Sequence, residues 1–327
     1  MAVIGAVLVV TVAAACSSTP PNRDASLDGG PGRPRPLAKV KVGDIVAPDA
    51  TAGAGAVVSP SGVVVPVVGP ADGGGWDVTT PCGRPATVTT GRFVAKATIV
   101  LDPGHGGSDP GAVSPGGRVH ESAINLAVSQ YAAALLTEAG VSVLLTRTGD
   151  YDLNLTPRAD IAKGVGARAF VSIHHNAEPD GPWPRPGSET YYQIGSADSK
   201  RLAGLVYEEV VKALSQYRLA WVADTDAGAQ YRPGSRGDYY AVLRQPAPIV
   251  STLVELAFIS NQAEAALLAR PDVQKVEGEA VARGIYRYLA SRDLGSGFTE
   301  PYERPTPPSS PAVPGGGTSA PCDDPPL

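Results

Sequence analysis

Thr98-Ile99-Val100-Leu101-Asp102-Pro103-Gly104-His105-Gly106-Gly107 is an apolar run that stops at a glycine-rich turn carrying a histidine. A short, wholly apolar run is the mark of a strand buried on both faces, and the glycines let the chain bend sharply as it leaves the sheet. Three further runs share the pattern: Val141 to Leu145, Ala169 to Ile173 and Ile249 to Val254. Helical spacing falls between them. Ile124, Val128, Tyr131 and Leu135 share one face of a helix that Gly140 ends, and Leu202, Val206, Val210 and Ala213 repeat the arrangement. Asp272 to Ser291, with Pro271 at its start, puts Val273, Val276, Ala280 and Tyr288 on one stripe. Strands alternating with helices predict an α/β domain over residues 93–293, with a mostly parallel central sheet and helices on both faces.

Outward from this domain the composition changes. Residues 40–92 contain Ala56-Val57-Val58 and Val63-Val64-Val65 separated by Ser59-Pro60-Ser61-Gly62, which predicts a hairpin within a small β-rich region of no assigned role. Residues 17–39 are rich in Ser, Pro, Asp, Arg and Gly and read as a flexible linker; residues 294–327, dominated by Pro, Gly and Ser, read as a disordered tail. Ala2 to Ala15 is apolar, too short to span a bilayer, and ends in small residues before Cys16, so residues 1–16 read as an export signal. No Lys or Arg precedes the run, from which the natural start is expected upstream of Met1. Ala13-Ala14-Ala15-Cys16 resembles a bacterial lipoprotein box, with Ala13 where Leu is preferred. Cys16 is therefore a candidate for lipidation and a membrane tether; without the lipid the chain is secreted. An exported chain with three cysteines leaves Cys82 and Cys322 as a candidate disulfide. The net charge of -5, with Lys and Arg scattered along the chain, argues against nucleic acid as a partner.

Open α/β sheets bind ligands beyond the carboxyl ends of their strands. Strand ends here carry His105, His174-His175-Asn176 and Glu255. All four histidines, His105, His120, His174 and His175, lie in this one domain. A catalytic zinc takes three protein ligands and keeps one position open. His105, His174 and Glu121 are the candidates, and His175 is expected to point the other way because strand neighbours alternate. Each has a plainer reading: Glu121 as a complement to a helix dipole, His120 as a surface residue, the glycines as a tight turn. Glu255 sits in an apolar run and needs a partner or a task. It is either half of a buried ion pair, with Arg244 the candidate, or a general base beside a metal.

Four stretches then act together: Leu101 to Gly107; Glu121 followed by Asn125-Leu126; Val171-Ser172-Ile173-His174-His175-Asn176-Ala177; and Val254-Glu255-Leu256-Ala257-Phe258-Ile259-Ser260-Asn261. In order and spacing they resemble the zinc-dependent N-acetylmuramoyl-L-alanine amidases of the amidase 3 type, over roughly Ala97 to Ala290. Leu155, Arg158 and Gly187 to Tyr192 fit as well, while Ala257 stands where Gly is usual and Lys163 where Asn is common. The resemblance implies a peptidoglycan hydrolase that cuts the amide between N-acetylmuramic acid and L-alanine, with Zn2+ on His105, Glu121 and His174 and Glu255 as catalytic carboxylate. It also implies an open site, because Ala177 to Tyr240 leaves no room for the long inhibitory helix of some relatives. The alternatives are an inactive peptidoglycan-binding regulator and a zinc peptidase acting on stem peptides.

Overall fold

The computed structural model describes residues 36–41, 53–177, 187–219, 228–295 and 321–327, and the backbone of 302–303. The export segment and Cys16 lie outside the described residues. Two principal sheets share one compact unit. In the first, β1 (Ala56–Val58), β2 (Val64–Pro70), β3 (Trp76–Thr79), β4 (Pro85–Val88) and β5 (Arg92–Val94) run in the order β4-β3-β2-β1-β5, all antiparallel. The expected hairpin is present: Val57 pairs with Val65, and Gly62 N–H donates to the Ser59 carbonyl at 2.9 Å across the turn.

The remaining chain runs β6 (Ile99–Pro103), α1 (Glu121–Glu138), β7 (Val143–Leu145), α2 (Leu155–Gly164), β8 (Ala169–Asn176), β9 (Glu189–Tyr192), α3 (Ala197–Leu214) and β10 (Ala229–Tyr231). A two-residue hairpin of β11 (Pro233–Gly234) and β12 (Gly237–Asp238) follows, then α4 (Ala241–Arg244), β13 (Val250–Phe258), α5 (Gln262–Leu268), α6 (Pro271–Ala290) and β14 (Tyr302–Glu303). The large sheet has the order β14-β10-β9-β13-β8-β6-β7. Its pairings are parallel except β13 with β9, as the sequence predicts for the fold class.

Alternation along the strands divides the core. Ile99, Leu101, Ala169, Val171, Ile173 and Val254 face one side, where α1, α3 and α6 cover them with Ile124, Val128, Leu202, Val206, Val281 and Ile285. Glycine lets α6 lie close between its neighbours, since a Cβ at Gly278 would stand 2.5 Å from the Val128 carbonyl oxygen. Val100, Leu144 and Phe170 face the other side, where Ile161 and Val165 next to and within α2 meet Ala56 and Val64 of the small sheet. The second face is thus covered by one helix together with the small sheet, so the region without an assigned role is a wall of the central core. The strands also run further than the expected apolar runs: β8 continues through His174 to Asn176 and β13 through Glu255 to Phe258.

The tail departs from its expected disorder at the very end. Cys82 and Cys322 form a disulfide, and Asp324 accepts from Thr80 Oγ1 at 2.9 Å, Cys82 N–H at 2.8 Å and Arg84 Nη1 at 2.7 Å. Residues 304–320, which precede it, lie outside the described residues. So do 178–186 and 220–227, which belong to the stretch read as an open site.

Candidate metal centre

The loop after β6 is held by its carbonyls. His105 has φ 60, one of two non-glycine residues at positive φ among the described residues. Such a backbone persists only where its surroundings over-determine it. Here two guanidinium groups do so. Arg158 donates to Asp102 Oδ1 at 2.9 Å, the Pro103 carbonyl at 2.7 Å and the His105 carbonyl at 2.8 Å. Arg147 donates to the carbonyls of Pro103, Gly104 and Ser122 at 3.0, 2.8 and 2.6 Å. Asp102, fully buried, also accepts from Thr146 Oγ1 and Ser172 Oγ. Burial pushes its carboxyl up, but the Arg158 charge and these bonds outweigh it and hold the pKa below the usual value. Burial and the like charge of Arg158 draw Arg147 down to about 10, so it stays charged at neutral pH.

Glu121 opens α1. The loop fixes that start, with Glu121 N–H donating to the Ala112 carbonyl at 2.9 Å and Ser122 N–H to the Pro110 carbonyl at 3.0 Å. The carboxylate is buried and both oxygens are committed. Oε2 lies 3.1 Å from His105 Nε2 and accepts from Ala112 N–H; Oε1 lies 3.0 Å from His174 Nδ1 and accepts from His175 N–H and Asn125 Nδ2, each at 3.2 Å. The other ring nitrogen of His105 meets Asp109 Oδ2 at 2.7 Å, the outer contact that orients a metal-binding imidazole. Gly104 leaves space for His174, whose ring a Cβ there would overlap. His105, Glu121 and His174 thereby offer three ligand atoms, all within 4.8 Å of one another.

The electrostatics fit a cation. Burial works against charging His105, but the Glu121 and Asp109 carboxylates prevail and raise its pKa to about 10. Burial also opposes ionisation of Glu121, and His105 and His174 overcome it, holding the carboxyl well below its usual range. His174 goes the other way: burial lowers its pKa by more than Glu121 restores. A carboxylate held ionised between two imidazoles is a site organised for positive charge. A divalent ion held by His105, Glu121 and His174 would supply that positive charge.

Glu255 is the parallel-register partner of His174, and across β9 it is the partner of Glu189. In parallel strands such partners project on the same side of the sheet, so its carboxylate leaves the sheet on the side of His174. A register shift follows between Glu255 and Phe258, the kind of irregularity that re-aims side chains near sites. Tyr240 lies close enough for the Glu255 charge to add to burial in raising its pKa. Arg244, the candidate ion-pair partner of Glu255, donates to the carbonyls of Asp238 and Tyr239. His120 is exposed at the N-cap of α1, and His175 is 1% exposed on the helical side of the sheet. Sequence reasoning gave no role to Asp102, Asp109, Asn125 or Arg147. Arg147 carried a weak signal, a charged residue directly behind the apolar run that becomes β7.

A family model described as N-acetylmuramoyl-L-alanine amidase matches residues 99–287. An uncharacterized protein, YqiI, of Bacillus subtilis (strain 168) is 33% identical over 210 residues, covering 64% of this chain and 90% of its own length. The germination-specific N-acetylmuramoyl-L-alanine amidase of the same organism is 30% identical, covering 59% of this chain and 80% of that protein. Among solved structures, the N-acetylmuramoyl-L-alanine amidase AmiC2 of Nostoc punctiforme is similar at 33% identity and a TM-score of 0.51, over 60% of this chain and 98% of that one. An N-acetylmuramoyl-L-alanine amidase from Clostridium difficile 630 gives a TM-score of 0.53 at 29% identity, over 61% and 99%.

Proposed function

The chain belongs to the N-acetylmuramoyl-L-alanine amidase family, and from that premise we propose that it is a zinc enzyme releasing stem peptides from peptidoglycan, with His105, Glu121 and His174 as metal ligands and Glu255 as the catalytic carboxylate. Its activity as a peptidoglycan amidase follows from the family. The zinc and its three ligands rest on one observation, the convergence of two imidazole nitrogens and a carboxylate oxygen within 4.8 Å, and the role of Glu255 on its register beside His174. Imidazole with carboxylate suits zinc, and three protein ligands leave a position for chemistry where a structural site would close all four.

When bound, zinc supplies a Lewis acid that polarises the scissile carbonyl and makes water acidic near neutral pH. Glu255 accepts a proton from the attacking water and returns it to the nitrogen of L-alanine as the amide breaks. Asp109 orients the His105 ring, while Arg147 and Arg158 keep the loop carbonyls in place so that the ring need not reorganise. Residues 93–293 form the catalytic domain in this reading. Peptidoglycan as substrate fits an envelope location, with residues 1–16 as the export signal and Cys16 as the lipid anchor. No helix among the described residues is long and apolar enough to cross a membrane.

The test is digestion of purified sacculi by the zinc-loaded protein, followed by mass spectrometry. Intact stem peptides with a free L-alanine amine are expected, and a chelator should abolish them. Fragments cut within the stem peptide would make the protein a peptidase, and binding to sacculi without any product would make it a regulator.

A further inference from the structure

Resting on the metal reading above, we propose that His175 and Glu277 are positioning residues for Glu121, acting through Asn125. His175 follows the ligand His174 on β8, and strand alternation turns its ring toward α1 and α6, where it is buried. Glu277 lies on α6 with no exposed surface, among Val273, Ala280 and Val281. The contacts form a line across three elements. Glu277 Oε2 is 3.5 Å from His175 Nε2, His175 Nδ1 is 2.7 Å from Asn125 Oδ1, and Asn125 Nδ2 is 3.2 Å from Glu121 Oε1 and 3.4 Å from the Gly104 carbonyl.

The polarity of this line is fixed by its far end. Glu121 Oε1 and the Gly104 carbonyl both accept, so the Asn125 group facing them is its NH2 and its oxygen faces His175. His175 Nδ1 therefore carries the hydrogen that Asn125 receives. Glu277 Oε2 lies 3.5 Å from the opposite nitrogen, against the far edge of the ring. Backbone and side chain of His175 thus converge on one carboxylate oxygen, since its N–H also donates to Glu121 Oε1 at 3.2 Å. Outer contacts of this kind tune a metal site by orienting its ligands.

The test measures Zn2+ affinity of the full chain by competition with a chromophoric chelator, beside the melting temperature of the metal-free protein and kcat and KM on sacculi. His175→Ala should weaken zinc binding about 10- to 100-fold, the loss typical of outer-contact mutations. His175→Asn puts an amide nitrogen where Nδ1 stood and should restore most of the affinity. His175→Gln puts its amide at the Nε2 position and should not. Glu277→Leu should fall between His175→Ala and wild type, with kcat lowered and KM unchanged at saturating zinc. A folded His175→Ala with wild-type zinc affinity overturns the proposal. Equal affinities for the Asn and Gln variants do the same, and that pair decides alone if His175→Ala does not fold. A wild-type protein that binds no zinc overturns the metal reading together with this one, whereas wild-type binding with indifferent variants overturns this one only.

Discussion

The rim of the large sheet and the small sheet beside it use polar groups in opposite ways. At the rim, Asp102, Arg158, Arg147, Glu121, Asn125 and His175 are buried, and their bonds run to one another and to backbone carbonyls of the loop. The small sheet has a core of valines, and the polar bonds at its β3–β4 end fasten the last residues of the chain. Burying charge is expensive, so the rim gives up stability for fixed geometry, while the small sheet and its disulfide contribute stability at a distance from the chemistry. Substitutions in the two regions should therefore separate activity from folding.

The largest effect is expected at Glu255. Glu255→Gln keeps the shape and removes the base, so turnover on sacculi should fall by about 10²- to 10⁴-fold, as for loss of a general base. Zinc content and melting temperature should be unchanged. Wild-type release of stem peptides by this variant would remove Glu255 from the mechanism, and loss of zinc along with activity would make it part of the metal site.

Arg158→Met tests the cost of the rim. It leaves Asp102 buried without its counter-charge and the His105 carbonyl without a donor, which should cost about 3–5 kcal/mol of stability and lower activity as well. Because the folded pKa of Asp102 is depressed, its contribution is present above the unfolded value and lost as pH falls through the folded one. Wild type should therefore lose stability on the acid side below about pH 4, and Asp102→Asn should flatten that limb in urea titrations. An unchanged acid limb would show that the Asp102 and Arg158 bonds do not stabilise the loop.

How much of this was legible in sequence differs between the two regions for the same reason. The large sheet announced itself because its strands are covered on both faces and so read as unbroken apolar runs. His105, His174 and Glu255 stood out because they interrupt or follow such runs. Glu121 was proposed from its place at a helix start. What sequence did not disclose is contact between distant segments: Arg147 and Arg158 reach back to a loop more than forty residues earlier, and Glu277 meets a histidine on another element. The helical stripe of α6 read as Val273, Val276 and Ala280 hid a buried acid between them. In the small sheet the hairpin was visible from its turn residues, but its packing on Val100 and Phe170 was not, because a half-buried valine strand does not name its partner.

Opening the disulfide should move stability and spare chemistry. Cys82→Ser with Cys322→Ser is expected to cost about 2–4 kcal/mol, read as a lower melting temperature, with kcat on sacculi unchanged. The contrast with Arg158→Met is the point: one lowers both readouts, the other only one. A fall in kcat would mean that the tail matters to the site, and a path for it exists. Asp323 N–H donates to Asp152 Oδ2 at 3.0 Å, and Asp152 Oδ1 accepts from Ser108 N–H and Oγ three residues beyond His105.

The smallest effect separates the covalent tie from the bonds around it. Asp324→Ala removes three acceptor contacts, to Thr80, Cys82 and Arg84, while the disulfide still holds the tail in reach. Arg84 is mostly exposed, so its ion pair should count for at most about 1 kcal/mol. The bond to the Cys82 N–H, made to a charged acceptor, is worth about 1.5–3 kcal/mol at most, and water can replace part of it at this half-open position. The melting temperature should therefore move less than in the cysteine double variant, while hydrogen exchange quickens at the Cys82 amide alone. If the two variants instead destabilise equally, the disulfide adds nothing beyond holding Asp324 in place, and the small sheet is fastened by a carboxylate rather than by its sulfur bridge.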